Sequence, residues 1–292
     1  MLTEGRNVRS AHIDSASTID LLMIMNDEDA LVAQVVRNAL PNIALTVDMI
    51  VSHIQDGGRL IYVGAGTSGR LGVLDAVECV PTFGTPPELV IGIIAGGSTA
   101  LTNAVEGAED RTQDGRSDLE AVSLSKRDVV VGIAASGRTP YVLGAVAYAN
   151  EIGAGTIGIA CNDPSPLLEI AQIKIGLPVG PEVITGSTRL KSGTAQKMAL
   201  NMLSTASMVK LGKVYDNLMV DVKVTNEKLA DRAQRIVSEI AGVDYNEAGR
   251  LLRETANNVK TAIVVSKRHV TPEEAERLLA NAEGQLHQVI DE

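Results

Sequence analysis

The fold is decided by Arg59-Leu-Ile-Tyr-Val-Gly64-Ala-Gly66-Thr67-Ser68-Gly69-Arg70, in which a short apolar strand leads directly into a turn of glycine and hydroxyl residues. The pattern recurs in Asp128-Val-Val-Val-Gly132-Ile-Ala-Ala-Ser136-Gly137-Arg138-Thr139-Pro140. A helix that begins after such a turn has unpaired N–H groups and the positive end of its dipole at the turn. Both stretches therefore predict a phosphate site at the start of a helix.

Apolar strands alternate with helical stretches through the middle of the chain. The strands are rich in Val, Ile and Gly and lack polar alternation, which is typical of strands buried on both faces. This alternation predicts an α/β fold with a doubly wound, parallel, five-stranded sheet. The predicted strands are 59–64, 89–95, 128–135, 155–161 and 173–177, and the predicted helices are 68–80, 98–108, 140–151, 165–171 and 191–212.

Changes in pattern divide the chain into three predicted domains. Residues 1–55 form an N-terminal arm and helices, which Pro41 interrupts because proline cannot continue a helix. Residues 56–225 hold the sheet. Residues 226–292 form a small C-terminal helical domain, in which 261–265 has an ambiguous, strand-like composition.

Composition restricts the function. The net charge of −10 and the absence of Trp disfavour nucleic acid as a partner, because binding to a phosphate backbone requires a basic surface. The two cysteines, Cys79 and Cys161, belong to no Cys/His cluster, so no metal site is expected. No apolar run reaches about 18 residues and no signal-peptide pattern is present, so we expect a cytoplasmic protein that binds no membrane.

The first loop has other interpretations. Gly64-Ala-Gly66-Thr-Ser-Gly69 fits the dinucleotide fingerprint, which also requires an acidic residue at the end of the second strand. That strand ends in Ile94-Ala95-Gly96-Gly97, without an acid, which disfavours NAD. A tight turn without a ligand is a further alternative for each loop, but two such loops in one sheet favour a phosphorylated small molecule.

Two acidic segments supply candidate acid–base groups. Glu78 lies in the apolar stretch 77–80, where we expect a partly buried carboxylate that can act as an acid or a base. The second segment is Val105-Glu106-Gly-Ala-Glu109-Asp110, in which helical spacing brings the acids together. The alternative for each acid is a solvated surface position.

A third stretch is dense in hydroxyl and cationic residues: Gly180-Pro-Glu182-Val-Ile-Thr-Gly186-Ser187-Thr188-Arg189-Leu-Lys191-Ser-Gly-Thr194-Ala-Gln-Lys197. Such a loop before a helix predicts anion recognition. The alternative is an ordinary capped helix start, with Lys191 and Lys197 in solvent.

These stretches resemble known families. The sheet with two loops resembles the sugar isomerase (SIS) fold, and Gly180–Lys197 is similar to the signature shared by glucokinase regulatory protein and the N-acetylmuramic acid 6-phosphate etherases. Further blocks resemble the etherase family over nearly the whole chain: Thr3–Asn7, Asn26–Asp29, Gly64–Gly72, Val105–Asp110, Ile133–Tyr141 and Asn217–Asp221.

The resemblance implies a reaction in which N-acetylmuramic acid 6-phosphate and water give N-acetylglucosamine 6-phosphate and D-lactate, in the recovery of cell-wall sugar. It implies no metal or cofactor, and a homodimer with the active site near the subunit boundary. It also gives Glu78 as the acid that protonates departing lactate and then activates water, and Glu109 as the base at C2. Which of the two carboxylates has which role is left open.

The sugar phosphate is expected to bind along the three glycine- and hydroxyl-rich stretches. The expected binding residues are Gly66, Thr67, Ser68, Gly69, Ser136, Gly137, Arg138, Thr139, Glu182, Ser187, Arg189 and Lys191. Two rival functions are a sugar-phosphate isomerase, which would leave C3 untouched, and a sensor of the glucokinase regulatory protein type. That sensor is longer and resembles two such domains, whereas this chain has one and retains both Glu78 and Glu109.

Overall fold

A parallel five-stranded sheet is the centre of the protein, in a computed structural model that describes residues 1–222, 224 and 226–291. The strands run in the order β2-β1-β3-β4-β5, and each pairs in parallel with its neighbour. The predicted α/β fold class is confirmed, and each predicted strand is present to within a residue or two at its ends. The strands are β1 (Leu60–Gly64), β2 (Val90–Ile94), β3 (Val129–Ile133), β4 (Gly155–Ala160) and β5 (Ile173–Gly176).

Burial explains why these segments are strands. Every residue of the three central strands, β1, β3 and β4, is buried, whereas the edge strands β2 and β5 are partly exposed. Apolar β-branched side chains suit positions covered on both faces, which is the environment of a parallel sheet between helices.

Nine α-helices surround or precede the sheet in the described residues up to position 222. The break at Pro41 is confirmed, since α2 ends before it and α3 contains it in the first turn, where its missing N–H is tolerated. The helices are α1 (Thr18–Asp29), α2 (Val32–Asn38), α3 (Leu40–Gln55), α4 (Gly66–Phe83), α5 (Thr99–Thr102), α6 (Thr112–Ala121), α7 (Pro140–Ile152), α8 (Pro166–Ile170) and α9 (Lys191–Lys210).

One predicted helix is wrong and one was missed. The predicted helix 98–108 is reduced to the short α5, and a single 3₁₀ turn follows at Ala108–Asp110. Helix α6 has only Gly115 and Leu119 buried, so its apolar stripe is too sparse to predict a helix.

The N-terminal arm is fastened to the sheet domain by hydrogen bonds. The N–H group of Leu2 donates to Asn162 Oδ1 at 2.7 Å, and Ser10 Oγ donates to the Val183 carbonyl at 2.8 Å. The arm forms three short 3₁₀ turns, which end at Ser15. It therefore packs on a larger body, as its polar sequence predicts.

An ion pair joins the starts of β1 and β3. Asp128 accepts from the backbone N–H of Arg59 at 3.0 Å and from its Nη2 at 2.8 Å. Burial raises the pKa of Asp128, but hydrogen bonds from Arg59 and Ser125 outweigh it and hold this pKa below its ordinary value of 3.8. These contacts fix the relative position of the two strands that carry the glycine loops.

Packing divides the chain into two compact units, Met1–Val77 with Pro87–Ser204, and Glu78–Pro86 with Thr205–Glu292. The second unit is helical, and 261–265 lies in a helix rather than a strand. The predicted domain boundaries stay a prediction, and two of them, 225 and 292, lie outside the described residues. The elements of the second unit include the hairpin β6 (Val214–Tyr215) and β7 (Leu218–Met219), and the helices α10 (Glu227–Ala241), α11 (Tyr245–Glu254), α12 (Val259–Arg268), α13 (Pro272–Asn281) and α14 (Leu286–Ile290).

Among the described helices, none alone combines the length and apolar content needed to cross a bilayer. The segments Thr18–Asn38 and Leu40–Gln55, which meet at an angle of 58°, together reach the required length and apolar content, and this statement concerns length and composition only.

Candidate functional site

The two glycine loops lie side by side at the carboxyl edge of the sheet. β1 and β3 are paired neighbours, with Gly64 opposite Ile133 at their last positions. The chain leaves β1 toward one edge of the sheet and β3 toward the other, so the loops meet where the strand order reverses. Ligands in open α/β sheets bind at such a switch point.

A cavity of about 420 Å³ opens between these loops. The starts of α4 and α7 both contribute to its wall, so unpaired N–H groups and two positive dipole ends are available to an anion. The cavity is lined by Met1, Glu4, Ala65, Gly66, Thr67, Ser68, Glu109, Asp110, Ala134, Ala135, Ser136, Arg138, Thr139, Pro140, Gly186 and Thr188.

Hydroxyl groups supply further donors in this cavity. Ser136 Oγ accepts from the backbone N–H of Arg138 at 3.1 Å, which leaves its own proton available. Thr139 precedes α7 and makes no side-chain cap. Within the described residues, no carboxylate forms an ion pair with Arg138, whose exposed guanidinium can therefore meet an anionic ligand.

Gly137 is required by the shape of the second loop. Its φ is +67°, and a Cβ at this position would lie 2.3 Å from Ser165 Oγ. Gly69 has a different constraint, because it lies inside α4 against Gly64, where a Cβ would be 2.7 Å from the Gly64 carbonyl oxygen. Both glycines shape the loops, but neither lines the cavity.

Gly137→Ala is expected to destabilise the protein by about 1–3 kcal/mol more than the matched control does, because the new Cβ would overlap Ser165, and to raise the KM for a sugar phosphate about tenfold, because the second loop is displaced. The matched control is Gly153→Ala, since Gly153 has a φ of +79° and open space around it. Thermal melting and KM measurements check both variants. Equal melting temperatures with unchanged KM values would contradict this role of Gly137.

The two predicted catalytic carboxylates have different environments. Glu109 lines the cavity between the two glycine loops, next to Asp110. Glu78 does not line it and is exposed on α4. The prediction that Glu78 is partly buried is wrong, because the buried side chains next to it on this helix are Asp75, Ala76 and Cys79, and Glu78 projects from the other face.

Two charged residues of the third stretch are buried and form hydrogen bonds inside the protein. Glu182 is fully buried, and its carboxylate accepts from the N–H groups of Lys191 and Ser192 at 3.0 and 2.9 Å, which caps α9. Lys191 is 2% exposed, and its Nζ donates to Glu28 Oε2 at 2.5 Å. We correct the expectation that Glu182 and Lys191 bind substrate, because their charges are already used inside the protein.

Other residues of this stretch differ in whether they line the cavity. Gly186 and Thr188 line the cavity, whereas Ser187 and Arg189 are not among its lining residues. The sequence interpretation missed Gly186 and Thr188, together with Glu4 and Asp110. All four lie in blocks that carry the family resemblance, which is the signal that could have found them.

The second unit contains a cavity of about 490 Å³. Its charged lining residues within the described part of the chain, Lys213 and Asp221, pair with each other at 2.5 Å, and the described lining contains no Ser or Thr. It therefore fits an anionic ligand less well than the cavity between the loops. Within the described residues, no three His, Cys, Asp or Glu side chains are grouped so as to hold a metal ion.

Comparison with known proteins identifies the family. Residues 42–150 match the family model of the glucokinase regulatory protein N-terminal SIS domain, and residues 113–206 match that of the SIS domain. N-acetylmuramic acid 6-phosphate etherase 1 of Bacillus licheniformis is 56% identical over 99% of this chain and 95% of its own length. This chain belongs to the N-acetylmuramic acid 6-phosphate etherase family.

Other members of the etherase family are similarly close. The N-acetylmuramic acid 6-phosphate etherase of Staphylococcus aureus is 53% identical over 96% of this chain and 93% of its own. Among solved structures, phosphoheptose isomerases from Francisella tularensis and Neisseria gonorrhoeae both have a TM-score of 0.51. They are 18% and 16% identical, and cover 66% and 65% of this chain and 100% and 98% of their own. At that identity they show the fold alone.

Proposed function

We propose that this protein cleaves the lactyl ether of N-acetylmuramic acid 6-phosphate, giving N-acetylglucosamine 6-phosphate and D-lactate. Membership of the etherase family supports the substrate and the reaction. The observation that carries the proposal is the cavity in which two helix starts, several hydroxyl groups and Glu109 converge. We propose that the reaction needs no cofactor. We also propose that it takes place in the cytoplasm, as part of cell-wall sugar recovery.

The substrate determines the order of steps. An ether is difficult to hydrolyse directly, but opening of the sugar ring makes C1 an aldehyde and the C2 proton acidic. A base removes that proton, the lactate oxygen leaves C3 with a proton from an acid, and an α,β-unsaturated aldehyde remains. Water then adds at C3 and a proton returns to C2, so the sum of the steps is hydrolysis. Two positioned acid–base groups are therefore required.

The residues of the cavity fit the binding part of this scheme. We assign the phosphate to Thr67, Ser68, Ser136 and Thr139 at the two helix starts, where N–H and O–H donors converge. Arg138 neutralises the phosphate or the lactyl carboxylate. Glu109 is the base at C2.

A second copy of the chain supplies Glu78 in this proposal. Ser68 and Glu78 are ten residues apart on α4, which corresponds to a rise of about 15 Å along the helix. A hexose phosphate bound at Ser68 does not span that distance to its C3 atom. Leu74 and Val77 are 51% and 59% exposed on the same helix as Glu78, which is typical of a surface that a partner covers. We propose a homodimer in which Glu78 of the partner subunit meets the substrate.

Mixing two inactive variants tests this arrangement. Glu78→Gln and Glu109→Gln, dissociated and reassociated together, are expected to recover about a quarter of wild-type activity, since half of the dimers are mixed and each mixed dimer has one complete site. Each variant reassociated alone is the control. If the reassociated mixture of the two variants forms dimers but remains inactive, the site is not shared between subunits and the arrangement is contradicted.

Incubation with N-acetylmuramic acid 6-phosphate in D₂O tests the reaction. We expect stoichiometric D-lactate and N-acetylglucosamine 6-phosphate with deuterium at C2. Deuterium at C2 without lactate would indicate an isomerase-type reaction, and binding without either product would indicate a sensor. Both of these outcomes contradict the proposal.

A further inference from the structure

The hydroxyl groups of Ser68 and Ser136 have different roles in hydrogen bonds: the first donates its proton within the protein, and the second accepts. The Ser136 proton is free for a ligand, since Ser136 Oγ serves as an acceptor for Arg138 N–H. Ser68 is only 7% exposed, and its Oγ donates to Gln196 Oε1 at 2.9 Å. An ionised phosphate oxygen accepts hydrogen bonds. In this arrangement Ser68 offers it no proton, although Ser68 lines the cavity.

The side-chain amide of Gln196, which accepts the Ser68 proton, is only partly hydrogen-bonded. It is 1% exposed, and its Nε2 is buried without a hydrogen-bond partner within the described residues. A buried donor without a partner is unfavourable. A carboxamide keeps nearly the same shape after a half-turn about its last bond, which exchanges the oxygen and the nitrogen. After that turn Nε2 would donate to Ser68 Oγ, and the Ser68 proton would be free.

We propose that Gln196 positions Ser68 for phosphate by this half-turn. Without a ligand, Ser68 donates to Gln196. With a phosphorylated ligand, Gln196 Nε2 donates to Ser68, and Ser68 donates to a phosphate oxygen. The inference rests on the proposed function only in that a phosphorylated sugar occupies the cavity. Gln196 acts through Ser68 and is therefore a positioning residue rather than a catalytic one.

The position of Gln196 relative to Ser68 is fixed by other contacts. Asp75, on α4 with Ser68, accepts from Asn201 Nδ2 at 2.8 Å and from Ser204 Oγ at 3.0 Å, both on α9 with Gln196. These bonds hold the two helices together one to two turns from the Ser68–Gln196 pair. A carboxamide in such a fixed frame can exchange its two ends without a movement of the backbone.

Gln196→Met and Gln196→Glu test the inference with inorganic phosphate as a competitive inhibitor. Met has a similar length and forms no such bond, so we expect the inhibition constant to rise about threefold to tenfold. Glu accepts but cannot donate when ionised and would keep the Ser68 proton, so we expect a rise of about tenfold to a hundredfold. For both variants KM should rise while kcat changes much less.

Two further variants distinguish positioning from packing. In a Ser68→Ala background, Gln196→Met should change the inhibition constant by less than about twofold, because its effect passes through Ser68. Gln172→Glu, at an exposed glutamine, controls for the added charge. A normal inhibition constant in folded Gln196→Met and Gln196→Glu would overturn the inference. An equal effect of Gln196→Met with and without Ser68 would also overturn it.

The wild-type protein separates this inference from the proposed function. If wild type releases no lactate, the proposed function fails. If wild type is active and inhibited by phosphate but the Gln196 variants behave like it, only the inference about Gln196 fails.

Discussion

Glu109→Gln is expected to lower kcat for lactate release by about 10²–10⁴-fold, because the amide cannot accept the C2 proton. KM should change little, since the substitution keeps the size of the side chain and leaves the phosphate donors of the cavity in place. Exchange of the C2 proton in D₂O should fall in parallel with lactate release. Steady-state kinetics and proton NMR on the same samples measure both quantities.

Glu106→Gln is the matched control for this variant. Glu106 lies three residues before Glu109 in the same segment, but it does not line the cavity between the two glycine loops. We expect its kcat to remain near that of wild type. Near-normal lactate release and C2 exchange in Glu109→Gln would show that Glu109 is not the base.

Lys191→Met is expected to cost about 3–5 kcal/mol of unfolding free energy, because it leaves the buried Glu28 carboxylate without its main partner. Glu28 is 1% exposed, and besides Lys191 it accepts from Asn7 Nδ2 at 2.7 Å and pairs with the exposed Arg9, whose Nε lies 2.7 Å from Glu28 Oε1. These two contacts remain in the variant, so we expect the loss at the lower end of this range. Arg116→Met is the control, since Arg116 forms exposed pairs with Glu120 and Glu151, each of the kind that contributes about 0–1 kcal/mol. Urea denaturation at pH 7 compares the two variants with wild type.

Acid should reduce the difference between wild type and Lys191→Met. Burial raises the pKa of Glu28, but hydrogen bonds from Lys191 and Asn7 outweigh it, so the folded protein holds this pKa below its ordinary 4.5. The stability from the pair is therefore present above about pH 4.5 and is lost as the pH falls through the folded pKa. A difference that grows on acidification would contradict this assignment of the pair.

The sheet was predictable because its central strands are buried on both faces. Runs such as Val129–Val131 have no polar alternation, and glycine turns mark where strands end, so local sequence is enough to find them. Helix α6 was not predictable, because it buries few residues and its sequence is polar. The order of the strands depends on long-range pairing, which local pattern does not encode.

The parts of the site that depend on backbone conformation were predictable from the sequence. The parts that depend on which side chains pair with each other were not. The two loops follow from glycines and hydroxyl residues beside buried strands. Lys191 and Glu182 lie in a sequence that is typical of an anion site. In the structure, however, the Lys191 ammonium pairs with Glu28, and the Glu182 carboxylate accepts hydrogen bonds from the N–H groups at the start of α9. Glu78 has apolar neighbours in sequence, yet helical phase turns it to the exposed face of α4. Such pairings depend on tertiary contacts.

The position of a bound sugar phosphate tests the central claim most directly. A crystal structure of Glu109→Gln with N-acetylmuramic acid 6-phosphate should show the phosphate within hydrogen-bond distance of Ser68 and Ser136, with C2 of the sugar facing position 109. A phosphate bound in the cavity of the second unit, or a sugar directed away from position 109, would contradict the account.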